Sequence, residues 1–215
     1  MSLGDDSKED DIMSVVSTVE ELEAIYGEAN PRSLMKEIGF LNEPYRAFVE
    51  AAPFVVIATS GPGGLDCSPK GDAPGFVRVI DEQTLALPDR LGNNRIDNLR
   101  NLIVDPRISL LFLIPGIGET LRVNGTATIT NDAELLASFT VQGKQPRTVI
   151  MVTIEAVYFH CSKALVRSKL WDPATQIERS ALPSAGDILK CITDGEFDGA
   201  AYDREYPERV KATLY

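Results

Sequence analysis

A chain of 215 residues, 44% of them hydrophobic, can bury the core of one domain and still carry appendages. Its formal net charge of -11 is gathered at the ends: residues 1–60 hold 12 acids against 4 bases and 181–215 hold 7 against 4, whereas 61–180 balances at 13 against 13. That distribution offers no basic face to nucleic acid, and the acidic ends disfavour an anionic membrane surface.

Residues 1–16 are acidic and show no sustained apolar period, so disorder is expected there. Thr18-Val19-Glu20-Glu21 has the form of a capping box, opening a short helix that runs to Tyr26 and stops at Gly27. A second helix is expected over 43–52, where Glu43 and Pro44 suit a first turn. Residues 54–60 form a buried strand, closed by the turn Gly61-Pro62-Gly63-Gly64. Ser68-Pro69-Lys70-Gly71-Asp72 reads as a compact, cation-bearing turn. Strands over 76–80 and 84–87 then flank a hairpin at Asp81-Glu82-Gln83. A polar loop, Asp89-Arg90-Leu91-Gly92-Asn93-Asn94-Arg95, opens a helix over 94–104. Strands follow over 107–114, 119–130 and 148–159, with helices over 132–139 and 161–170. Residues 182–215 are a polar, acidic tail with an amphipathic piece at 188–192. Many short antiparallel strands with few intervening helices indicate a mainly β, α+β domain, a barrel or sandwich with peripheral helices. The regular strand–helix alternation of a dinucleotide-binding fold is missing.

Two cation-bearing turns, at Ser68–Asp72 and at Gly92-Asn93-Asn94-Arg95, are thereby tied to one antiparallel pair. The second sits where a helix begins, and free N–H groups and the helix dipole there favour an anion. A phosphate held by Lys70, Arg95 and these amides is the simplest chemical use; two ordinary turns with solvated charges are the plain alternative. Other chemistries find less support. Neither a GxGxxG nor a phosphate-loop motif follows a strand, and Pro115-Gly116-Ile117-Gly118 suits a wide hairpin loop better. The single histidine, His160, and three cysteines, Cys67, Cys161 and Cys191, form no zinc-type cluster or disulfide framework. Cys161 beside His160 would face the opposite side of a strand, which argues against a Cys–His hydrolase. Arg122, flanked by Leu121 and Val123, points either into a site or into solvent, the second being commoner. A reduced, cytoplasmic protein is expected, with no signal peptide and no apolar run long enough to span a bilayer.

Taken in order, Ser68-Pro69-Lys70-Gly71-Asp72, Leu87-Pro88-Asp89-Arg90, Gly92-Asn93-Asn94-Arg95, Asp105-Pro106-Arg107-Ile108-Ser109-Leu110-Leu111-Phe112 and Leu121-Arg122-Val123-Asn124-Gly125 carry a family likeness. His160-Cys161-Ser162-Lys163-Ala164, Arg167-Ser168 and Leu170-Trp171 extend it, so that it covers about residues 50–175. The chain resembles the pyridoxamine 5′-phosphate oxidase-like, FMN-binding split β-barrel proteins, and within them a bacterial branch with a PGNNR-type turn and no assigned substrate. The resemblance implies that Asn93, Asn94 and Arg95 hold the FMN phosphate, and that Ser68, Lys70 and Gly71 complete the phosphate and ribityl contacts. Pro88 and Asp89 would lie along the isoalloxazine edge. It further implies a homodimer with FMN between subunits, to which the partner would contribute Lys163, Arg167, Ser168 and Trp171. Core or interface packing would explain Trp171 equally well.

The chain is thus expected to divide into a disordered acidic N-terminus, 1–16, N-terminal helices within 17–52, the split barrel over 53–175 and an acidic extension over 176–215 packed on it. The C-terminal Arg-Leu-His-Asp-Arg motif with which true pyridoxamine phosphate oxidases hold substrate is missing. The implied function is an FMN-dependent oxidoreductase acting on an unidentified small molecule, and not a vitamin B6 oxidase. A non-catalytic flavin-binding or flavin-sensing protein, and a split barrel that binds haem through His160, are the alternatives.

Overall fold

The computed structural model describes residues 15–215, so the stretch 1–16 expected to be disordered lies almost wholly outside the described residues. The chain divides into one compact unit reaching to Met35 and another spanning Lys36–Tyr215. In the first, α1 (Val19–Tyr26) begins with the expected capping box between Thr18 and Glu21 and ends at Gly27, whose φ is 67°. A single turn, α2 (Pro31–Leu34), follows, capped by Asn30. Sequence patterning did not show it.

The second unit is built on seven antiparallel strands: β1 (Phe54–Gly61), β2 (Gly64–Gly71), β3 (Arg78–Val79), β4 (Thr84–Asp89), β5 (Arg107–Leu113), β6 (Thr120–Thr130) and β7 (Thr148–His160). They lie in the order β2-β1-β5-β6-β7-β4-β3, so the fold is mainly β with helices around it, as expected. Alternate residues point inward, as the two-residue period of a strand requires. Val55 and Ile57 of β1, Leu110 and Phe112 of β5, Leu121 and Val123 of β6, Ile150 and Val152 of β7 and Leu85 and Leu87 of β4 share a single core. One cluster can join strands from opposite ends of the sheet only if the sheet is rolled. Where β6 passes β7 the register shifts between Asn124 and Gly125. A Cβ on Gly125 would stand 1.9 Å from the Thr153 carbonyl oxygen, so this bulge tolerates no side chain.

The helices are α3 (Glu43–Ala51), α4 (Asp97–Val104), α5 (Ala133–Ser138), α6 (Lys163–Ser168), α7 (Ala185–Ile192) and α8 (Gly199–Thr213). α3 is capped by Asn42 and buries Tyr45 and Val49 against the barrel. α4 carries the chain between β4 and β5, which lie far apart in the sheet, and packs on β1, β2 and β6.

Three expectations are corrected. Ser68 to Gly71 is not a turn but the second half of β2, paired residue for residue with Phe54–Ile57. Pro69 misled the sequence reading, yet β2 is an edge strand, where a residue without an N–H is tolerated. The strand expected over 76–80 shrinks to Arg78–Val79, because Phe76 and Val77 are buried in a loop instead of paired. The acidic tail, in which only 188–192 showed amphipathic character, holds both α7 and the fifteen-residue α8. The polar surface of α8 hid its helical period.

Candidate functional site

β2, at one edge of the rolled sheet, approaches the end of β4 that extends beyond β3, and side chains bridge them. Lys70 on β2 forms an ion pair with Asp89 at the end of β4. One step along, Arg90 Nε donates to Asp72 Oδ2 at 2.9 Å, and these two side chains are only 16% and 5% exposed. Arg90 Nη1 also donates to the Phe139 carbonyl at 2.9 Å. Asp72 Oδ1 accepts from the Tyr215 hydroxyl at 2.7 Å and from the Ala73 N–H. Burial opposes ionisation of Asp72, but the Tyr215 hydroxyl, the Ala73 amide and Arg90 outweigh it and hold the carboxyl below its ordinary range.

Beside this seam lies a groove of about 850 Å³, bounded by the β1–β2 turn, β2, the Gly92–Arg95 loop and α4. Gly61 lets α4 come close, since a Cβ there would stand 2.4 Å from Asn101 Oδ1. Asn101 in turn donates to the Gly64 carbonyl at 3.1 Å, tying α4 to the turn. A smaller recess of about 280 Å³ continues from the groove behind Lys70, between Asn93–Ile96, Asn98, Arg147 and Thr148.

The chemistry of these walls is distinctive in two respects. Five basic side chains line groove and recess (Lys70, Arg90, Arg95, Arg100 and Arg147) against three acids, Asp66, Asp89 and Asp97. In a chain of net charge -11 this is a local excess of cations. Asn98 Nδ2 and Thr148 Oγ1, both on the recess wall, are buried with no hydrogen-bond partner in the protein, and Asn98 as a whole is 4% exposed. Buried polar atoms are nearly always paired, so an unpaired pair on one wall points to a ligand or water that satisfies them.

The expected site residues separate into two groups. Ser68, Lys70, Gly71, Pro88, Asp89, Asn93, Asn94 and Arg95 all line the groove, the recess or the cavity that adjoins them. Arg95 is not the free cation that the sequence suggests: its Nε donates to Asp97 at 2.6 Å and its side chain is 81% exposed. The helix opens later than expected, at Asp97 rather than Asn94, with Ile96 at a cap position that makes no side-chain bond. Asn94 instead takes a left-handed φ of 60°, and its Oδ1 accepts from Arg147 Nη1 at 2.8 Å.

Lys163, Arg167, Ser168 and Trp171 lie elsewhere, on and just after α6. Trp171 Nε1 donates to the Ile117 carbonyl at 2.8 Å, which pins this segment to the β5–β6 loop, and none of the four lines the groove or recess. Sequence reasoning gave no role to Asn98, Arg147, Thr148 or Tyr215. Arg147 and Thr148 arrive through the β4–β7 register, which pairs Asp89 with Thr148. The one available signal was Asn98 and Asn101, two asparagines three apart on the apolar side of an amphipathic helix.

His160 does not face the groove. It lies beside Tyr158, with ring centroids 5.3 Å apart and the planes tilted by 51°, and its Nε2 is buried and unpartnered. Burial, then Arg122 and Lys36, hold its pKa below the ordinary value. Arg122 is half-buried and donates to the Tyr158 hydroxyl at 3.1 Å, rather than standing free in solvent. No group of three or more potential metal ligands occurs among the described residues. No described helix is long and apolar enough to cross a membrane.

Comparison with known proteins supplies a family for this geometry. The sequence profile of pyridoxamine 5′-phosphate oxidase matches residues 41–161, more than half of the chain. No curated protein matches. Among solved structures, HupZ of Group A Streptococcus is 20% identical with a TM-score of 0.44, covering 54% of this chain and 91% of that one. General Stress Protein 26 of Bacillus anthracis is 14% identical with a TM-score of 0.41, covering 53% of this chain and 88% of that one. A protein of Clostridium acetobutylicum, related to general stress protein 26 and described as of the pyridoxinephosphate oxidase family, is 17% identical. Its TM-score is 0.43, with 56% of this chain and 91% of that one covered.

Proposed function

The chain belongs to the pyridoxamine 5′-phosphate oxidase family, and from that premise we propose that it binds FMN in the groove and acts as a flavin-dependent oxidoreductase on a small molecule. The observation that carries this reading is the recess wall. Two buried, unpaired polar atoms, on Asn98 and Thr148, stand among Lys70, Arg95 and Arg147, as a phosphate would require. The groove of about 850 Å³ lies within the usual range for a cofactor site.

In this assignment Arg95, Arg147, Asn93 and Asn94 would hold the phosphate, and the unpaired Asn98 amide would be a further donor to it. Ser68, Lys70 and Gly71 line the path of the ribityl chain, and Pro88 and Asp89 border the ring. The Arg95–Asp97 pair keeps this cation in place, and a phosphate would compete with Asp97 for it, while Lys70 stays paired with Asp89. When bound, FMN supplies hydride and single-electron transfer. The protein's task is to bind, orient and shield it, and no side chain is assigned as acid or base.

The groove rim supports a homodimer with FMN at the subunit interface. Leu65, which is 89% exposed, and Val104 form part of this rim, and Ile103 beside Val104 is also bare, so an apolar edge next to the ligand lacks a cover. In such a dimer Lys163, Arg167, Ser168 and Trp171 of α6 and its extension are the segment offered to the other subunit's flavin.

Titration of the apo-protein with FMN, followed by quenching of flavin fluorescence, tests the assignment. Arg147→Ala and Arg95→Ala should each weaken binding about ten- to a hundredfold, the worth of roughly 1.5–3 kcal/mol in a charge-assisted contact. Arg147 should matter at least as much, because Asn94 already holds its guanidinium in place. Equal FMN affinity in wild type and both variants would remove the phosphate from this recess.

A further inference from the structure

On the other side of the Lys70–Asp89 pair lies a cavity of about 400 Å³ that borders the FMN path at Lys70, Gly71 and Pro88 and whose remaining walls the FMN assignment leaves unused. It shares Pro69, Lys70 and Gly92 with the groove, so the two spaces communicate. Its walls come from the β2 end, the loop after it, the β4 end and the segment following α8. Phe76, Pro88, Leu91, Leu214 and the Tyr215 ring supply apolar surface.

The charges on these walls are already spent. Lys70 is paired with Asp89, and Arg90 with Asp72. Asp72 accepts from Arg90, from the Ala73 amide and from the Tyr215 hydroxyl, which uses both of its oxygens. A charged ligand entering here would lose its hydration and find no uncommitted counter-charge among the described residues. An uncharged ligand would meet no such cost.

Leu214 and Tyr215 are held in this wall by three contacts. The Tyr215 hydroxyl donates to Asp72 at 2.7 Å, its ring lies 5.3 Å from the Arg90 guanidinium, and Lys144 Nζ donates to the Ala212 carbonyl at 3.4 Å. None of these is part of the sheet, so the wall is added to the barrel by side-chain contacts alone. The geometry points to a substrate chamber for an uncharged molecule of about single-ring size that carries both polar and apolar groups, whose outer wall is Leu214 and Tyr215. This rests on the FMN assignment for its chemistry, since the chamber meets the groove beside Pro69, Lys70 and Gly92, but its binding property stands on the cavity itself.

The test is equilibrium binding by calorimetry, on full-length protein with and without FMN, so that no turnover is needed. Duroquinone serves as the probe because its fully methylated ring gives the exposed cysteines no free position to attack. Pentamethylbenzoate is its charged counterpart of similar size. Duroquinone should bind saturably, and pentamethylbenzoate at least about tenfold more weakly. Tyr215→Ala and Leu214→Ala should each weaken duroquinone binding about fivefold or more while leaving FMN affinity within about twofold. Tyr215→Phe keeps the ring, loses the Asp72 anchor and should fall between. Duroquinone affinity unchanged in both alanine variants, no duroquinone binding by wild type, or a benzoate that binds as tightly would each overturn the chamber. Variant-sensitive duroquinone binding by a protein that fails to take up FMN would support the chamber and overturn the flavin assignment instead.

Discussion

Arg90→Ala should be the most damaging single substitution at the seam, although Arg90 is not assigned to the FMN phosphate. The wild-type side chain is 16% exposed and its partner Asp72 is 5% exposed, so removal leaves a carboxylate buried without its cation. Breaking a buried pair in this way costs about 3–5 kcal/mol. Asp72 keeps the Ala73 amide and the Tyr215 hydroxyl, which places the expected loss near the lower end, about 3 kcal/mol. For a chain of this size that corresponds to a fall in Tm of roughly 6–12 °C. Urea denaturation followed by circular dichroism, with the slope unchanged, measures the free energy directly. Asp72→Asn in the same background removes the orphaned charge, so the double variant should be less destabilised than the sum of the two single ones. A loss under about 1 kcal/mol for Arg90→Ala, or strict additivity in the double variant, would refute the claim that the ends of β2 and β4 are joined by a buried ion pair.

Three other outcomes are expected. His160 is the only histidine, and its pKa is depressed in the fold by burial and by Arg122 and Lys36. The unfolded chain therefore binds the proton more readily: stability is highest above about pH 6.5 and is lost as pH falls toward the folded value. In His160→Gln, denaturation curves between about pH 5 and 7 should lose that slope; a slope that survives would place its cause elsewhere. Light scattering should give a mass near twice 23.5 kDa with or without flavin, and a monomer that holds FMN tightly would contradict the shared site. Flavin-loaded protein should form negligible pyridoxal phosphate from pyridoxine or pyridoxamine phosphate, because its groove cations are committed to FMN; robust saturable turnover would reverse that.

The architecture was legible to the extent that two-residue alternation and turn residues declare it. β1, β5, β6 and β7 show alternating or continuous apolar runs between clear breaks, and α1 and α3 carry their caps in the sequence. β2 did not, because a half-exposed edge strand needs little apolar content and tolerates Pro69. The site was half legible for a related reason. Lys70, Asn93, Asn94 and Arg95 lie in two short stretches whose polarity stands out, whereas Arg147 reaches the same recess only because β7 pairs with β4 across some sixty residues of chain. No local pattern encodes a register of that span. Tyr215 was invisible for the same reason, being placed by its bond to Asp72, which is 143 residues away.

The seam also bears on motion. Everywhere else in the sheet, neighbouring strands are joined by backbone ladders that must break in concert if they part. Between β2 and β4 the connection is a handful of side chains, Lys70 to Asp89 and Arg90 to Asp72. Such links can exchange one partner for another singly, so this is the line along which the molecule can breathe on entry or exit of a ligand while its core stays intact. Amide exchange should report it as weak protection on the free edge of β2 beside strong protection in β1 and β6.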